Sequence, residues 1–109
     1  MTPAQSPQIA LDMLVLAVLT HLGPSHGYGI TNAIQELSRE ALRVDEGSLY
    51  PALHRMAEAG CISATWTITD NKRRARVYRI TRTGAKHLSD ERARWTSFSG
   101  GVARILRHA

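Results

Sequence analysis

Apolar residues recur through the first part of the chain at helical spacing. Leu11, Leu14, Val15, Val18, Leu19 and Leu22 fall three or four residues apart and form a stripe on one helix face. Gly23-Pro24 ends that helix, because a flexible residue is followed by one that cannot continue the hydrogen-bond ladder. Ile30, Ala33, Ile34 and Leu37 predict a second helix from about Gly27 to Ser38. Residues 39–47 read as a connector, with Leu42 and Val44 turned inward. Asp45 or Ser48 caps a third helix that runs to about Ala59. Pro51 is expected in its first turn, where no N–H is needed, and Gly60 stops it. The period then changes to two. Ile62, Ala64, Trp66 and Ile68 alternate with Ser63, Thr65, Thr67 and Thr69, a strand pattern in which Trp66 is expected to pack against a helix. Asp70-Asn71-Lys72-Arg73 reads as a hairpin turn, and Arg74–Ile80 as the returning strand with Tyr78 and Ile80 on one face. Thr81 or Thr83 caps a last helix towards Arg107, which Gly100-Gly101 is expected to kink or end.

The predicted class is mainly α with a small β-hairpin, and 109 residues suffice for one modest core. Residues 1–8 read as a flexible tail, 9–82 as the folded unit and 83–109 as a terminal helix joined to it. Hydrophobic residues make up 43% and charged residues 21%, which is ordinary for a folded chain. Charge changes the picture more through its placement than through the net +5. No Lys or Arg precedes Arg39, whereas Lys72, Arg73, Arg74, Arg76, Arg79, Arg82 and Lys86 supply half of the 14 cations without an intervening carboxylate. A patch of this kind attracts polyanions through counterion release, although a solvated face has the same composition.

Three helices followed by a hairpin is the order of a winged helix-turn-helix, in which the third helix enters the major groove and the hairpin lies along the backbone. At 100° per residue, Leu49, Ala52, Leu53 and Met56 fall on one side of the third helix and face the core. Gly47, Pro51, His54, Arg55 and Glu58 fall on the other, flanked by Ser48 and Tyr50. Arg55 is placed to read a guanine or to grip a phosphate. Lys72, Arg73, Arg74 and Arg76 sit where a wing meets phosphates.

The stretches His26-Gly-Tyr-Gly-Ile30, Glu46-Gly-Ser-Leu-Tyr-Pro-Ala-Leu-His-Arg55 and Asn71-Lys-Arg-Arg-Ala-Arg-Val-Tyr-Arg-Ile-Thr-Arg-Thr-Gly84 carry a resemblance to a known family. Over roughly residues 9–99 the chain resembles the PadR-like transcriptional regulators in their short form, with a single C-terminal helix. The resemblance implies a winged-helix homodimer that binds a double-stranded DNA operator, usually as a repressor. It further implies that Ser48, Tyr50, Pro51 and His54 lie at the DNA surface, with Tyr28 near a backbone phosphate. Members respond to different small molecules, so an effector is implied without an identity.

Leu88, Glu91, Trp95, Phe98, Val102 and Ile105 alternate at spacings of three and four, a heptad-like seam with Glu91 as its exception. Such a seam on a terminal helix suits a second copy, and the family resemblance implies that the first and last helices interleave across the dimer. The expected interface residues are Leu11, Leu14, Leu88, Trp95, Phe98 and Val102. Trp95 reads as an interface anchor, with one wall of an effector cavity as the alternative.

Other chemistries are poorly served. Cys61, the lone cysteine, excludes an intrachain disulfide and reads as buried and inert. The five histidines are scattered without metal-ligand spacing, and Gly27-Tyr28-Gly29 lacks the preceding strand of a dinucleotide site, so neither metal nor cofactor is expected. Residues 1–8 lack the basic start of a signal peptide. The apolar stretch Ile9–Leu22 is broken by Asp12 and falls short of the roughly 20 residues of a membrane span. These features read as cytoplasmic, with no membrane partner. The alternative to a DNA regulator is a winged-helix module that binds protein or RNA.

Overall fold

The computed structural model describes residues 10–109, and the expected tail at 1–8 lies outside them. Four helices and one hairpin follow in the order α1 (Leu11–Leu22), α2 (Gly27–Leu37), α3 (Glu46–Glu58), β1 (Ile62–Ile68), β2 (Arg74–Ile80) and α4 (Arg82–Leu106). The architecture is that of a mainly helical winged helix-turn-helix with a long terminal helix.

The core is built by α1, α2 and α3, closed by the base of the hairpin and the first turns of α4. Val15, Leu16, Leu19, Ile30, Leu49 and Leu53 are fully buried. α1 touches α2, α3, α4 and β2, so its buried surface is wider than one stripe. Leu16, off the expected stripe, is therefore buried, while Leu22 at the far end of the helix is exposed.

The first and third helices each stop at a glycine. The Gly23 N–H bonds the Leu19 carbonyl at 2.9 Å with Gly23 at φ 82°, a conformation that favours glycine. Gly60, at φ 79°, donates to Ala57 at 3.1 Å while Cys61 donates to Met56 at 2.9 Å, the paired bonds that close a helix C-terminus. At the start of α3, the Asp45 carboxylate accepts the Ser48 N–H at 2.8 Å. Asp45, and not Ser48, is thus the cap, and this corrects the expectation for Pro51. The helix begins early enough that Pro51 lies in its second turn, and the Gly47 carbonyl forgoes its intrahelical partner.

The hairpin pairs Ile62 with Ile80, Ala64 with Tyr78, Trp66 with Arg76 and Ile68 with Arg74. Thr69 and Arg73 bracket a three-residue loop in which Lys72 sits at φ 58°. Ile62 is 2% exposed but Trp66 is 56% exposed, so Trp66 does not pack against a helix as expected. Alternation puts both residues on one face, yet only the base of the hairpin is covered by the helical body.

Thr81 caps α4 by accepting the Gly84 N–H at 3.1 Å. The helix then runs unbroken through Gly100-Gly101, where a kink or an end was expected. Its 25 residues extend for about 37 Å, well beyond the body it starts on.

Candidate nucleic-acid interface

The α1–α2 turn fixes the hairpin against the helices. Ser25 and Tyr78 exchange backbone hydrogen bonds of 3.1 and 2.9 Å, which adds the turn to β2 as a short bridge. The His26 ring Nδ1 lies 3.3 Å from the Arg76 carbonyl on the same strand. These contacts hold the wing beside α3, and a groove of about 640 Å³ separates the two. Tyr50 and His54 of α3 line one wall; Trp66, Arg74 and Arg76 of the wing line the other; Tyr28 stands at the end contributed by α2.

Tyr50 is placed by a close approach. A Cβ added to Gly27 would lie 2.9 Å from the Tyr50 hydroxyl oxygen and 3.0 Å from its ring, so the ring rests directly on the α2 backbone. Tyr78 forms part of the groove floor. Burial pushes its phenol above the ordinary value, Arg76 pulls it down in part, and Tyr50 pushes it up. His54 Nε2 lies 3.1 Å from the Glu58 carboxylate one turn later on the same helix face.

The structure brings Tyr28, Tyr50, His54, Arg74 and Arg76 of the expected site residues to one groove. Tyr50, Pro51 and His54 are exposed along α3, Ser48 is half-buried at its start, and Tyr28 is exposed on α2. Lys72, Arg73, Arg74 and Arg76 are all exposed on the wing. Arg55 departs from expectation. One residue beyond His54, it turns a further 100° around the helix, and its guanidinium meets Asp12 of α1 at 2.6 Å. It borders a separate groove of about 490 Å³ together with Cys61, Lys86 and His87. Sequence reasoning missed His26, although it opens one of the matched stretches, and missed the exposure of Trp66. Arg79, from the same basic run, lies on the opposite strand face and donates to Thr65 Oγ1 at 3.0 Å.

At the far end of the molecule, α4 presents Trp95, Phe98, Val102 and Ile105 to solvent, with the Trp95 and Phe98 ring centroids 6.1 Å apart. Glu91, the polar exception in the seam, accepts from Arg94, and that hydrogen bond holds its carboxyl below the usual carboxylate range. Leu11 and Leu88, expected to face a partner, are 5% and 6% exposed and belong to the chain's own core; Leu14 is half-buried. Among the described residues, no helix is long and apolar enough to cross a membrane.

Residues 15–90 match the profile of the transcriptional regulator PadR-like family. The chain is similar to the transcriptional regulator Rv3488 of Mycobacterium tuberculosis, with 39% identity over 79 residues that span 71% of this chain and 70% of that protein. Among solved structures it is similar to a transcriptional regulator from Clostridium thermocellum, with a TM-score of 0.79 and 27% identity over 87% of this chain and 91% of the other. It is also similar to Bacillus subtilis PadR in complex with operator DNA, with a TM-score of 0.67 and 27% identity over 74% of this chain and 46% of that one.

Proposed function

Because the chain belongs to the PadR-like family of transcriptional regulators, which bind DNA and are not enzymes, we propose that it acts in the cytoplasm as a homodimeric repressor. In this reading α3 enters the major groove with Ser48, Tyr50, Pro51 and His54 towards base edges. Lys72, Arg73, Arg74 and Arg76 grip the phosphates alongside, and Tyr28 meets a neighbouring one. The observation that carries the reading is that the exposed face of α3 and the wing arginines border a single groove.

The apolar row on α4 supports a dimer through Trp95, Phe98 and Val102, with Leu14 of α1 at its margin and Leu11 and Leu88 packed beneath. Two copies related by a twofold axis present their recognition helices to half-sites about 10 base pairs apart, or a multiple of that. The operator is then an inverted repeat. A small-molecule effector fits the same reading, held between subunits against the exposed face of Trp95.

Selection of duplexes from a random DNA pool tests the proposal. The expected product is an inverted repeat that binds much more tightly than a scrambled duplex. Enrichment of RNA to the same degree, or of DNA with no common sequence, would favour an RNA- or protein-binding module instead.

A further inference from the structure

Trp66 is a large aromatic residue that neither the core nor the expected phosphate contacts use. The register sets it opposite Arg76, with Arg74 two pairs further towards the tip, so all three side chains share the strand face that borders the groove. The guanidinium carbon of Arg74 lies 4.5 Å from the centroid of the indole ring, and that of Arg76 lies 5.3 Å from it. Indole has the strongest cation-attracting face of the aromatic side chains. Among the described residues no carboxylate pairs with either arginine. An acidic partner would also hold them in place, but it would cancel the charge that a phosphate needs. A ring holds them and leaves the charge intact.

We propose that Trp66 is a positioning residue for duplex DNA: its ring holds Arg74 and Arg76 side by side as a pre-set pair of phosphate contacts. A free arginine loses rotamer freedom when it grips a phosphate, whereas a stacked arginine has lost much of it beforehand. This inference rests on the DNA-binding reading above and adds a role for a residue that makes no phosphate contact itself.

The test is a double-mutant cycle, read as affinity for a mixed-sequence DNA duplex by fluorescence anisotropy. W66A is expected to bind about five- to thirtyfold more weakly than the unaltered protein, the change that two exposed cation–π contacts amount to. W66F, which restores a ring, recovers part of the loss. In an R74A/R76A background, W66A has no further effect. Thermal melting of W66A stays near that of the unaltered protein, because the ring is exposed. The proposal is overturned if W66A binds as well as the unaltered protein or better. It is equally overturned if the loss persists in the R74A/R76A background, since the ring would then act on DNA directly. Should the unaltered protein fail to bind duplex DNA at all, the DNA-binding reading itself falls, an outcome distinct from both.

Discussion

Replacing Gly84 by alanine adds one methyl group where the first turn of α4 lies flat on the turn that follows α3. The new Cβ would stand 2.0 Å from the Cys61 carbonyl oxygen and 2.9 Å from Ile80 Cγ1. Ile80 can swing its side chain aside. The Cys61 carbonyl cannot, because it accepts the Thr81 N–H at 3.1 Å while the Cys61 N–H is bound to Met56 at 2.9 Å. The Thr81 hydroxyl adds a third tie, donating to the Gly60 carbonyl at 2.6 Å. An ordinary carbon–oxygen contact is about 3.3 Å, so the helix has to withdraw by about 1.3 Å and loosen this cluster. Overpacking of this kind costs about 1–3 kcal/mol, and a backbone neighbour puts the case at the upper end. Alanine returns about 1 kcal/mol through its helix propensity. The net loss is about 2 kcal/mol, or about 8–16 °C in Tm for a domain of this size. Gly29→Ala is the control, since the nearest atom to its new Cβ is Ser25 Cβ at an ordinary 3.9 Å. It is expected to gain up to about 1 kcal/mol. Melting curves followed by circular dichroism at one fixed protein concentration read both variants. A G84A protein that melts at or above the unaltered temperature would falsify the packing argument, as would two shifts of the same sign.

Lys72 holds a left-handed conformation that disfavours any residue with a Cβ. K72G is expected to raise stability by about 1 kcal/mol while weakening DNA binding, so melting temperature and affinity move in opposite directions; a drop in both contradicts the turn geometry. Gly27→Ala displaces the Tyr50 ring from its seat. It should lower operator affinity while the protein still folds, because the displaced neighbour is the far end of a flexible side chain, and an unchanged affinity would remove Tyr50 from the interface. Trp95→Arg puts a charge into the exposed apolar row of α4. Sizing chromatography should show monomers and a mobility shift should show lost operator binding; a dimeric W95R that still binds DNA contradicts the proposed interface.

Helical and strand periods were legible in the sequence because each buried face imposes its own spacing, and all six elements fall where those spacings put them. What escaped was the environment of each face. Trp66 alternates with core residues, yet alternation does not reveal where the helical body stops covering the hairpin. Arg55 lies on the surface as its helical angle requires, but its partner Asp12 is 43 residues away, and no local pattern couples them. Choosing between Asp45 and Ser48 as the cap needed the hydrogen bond itself, and the placement of Pro51 followed from that choice. The shared groove was legible only in outline, through a basic run next to a polar helix face. The bridge from Ser25 to Tyr78 that sets its geometry joins backbone groups, on which side-chain identity is silent.

The salt dependence of binding by R73A/R74A, measured on the selected operator beside the unaltered protein, tests most directly whether wing and recognition helix act on DNA together. Two lost phosphate contacts should flatten the slope of log K against log salt by about 1.8, while the preferred sequence stays the same. An unchanged slope, or a changed sequence preference with no change in slope, would contradict a wing that lies along the phosphodiester backbone.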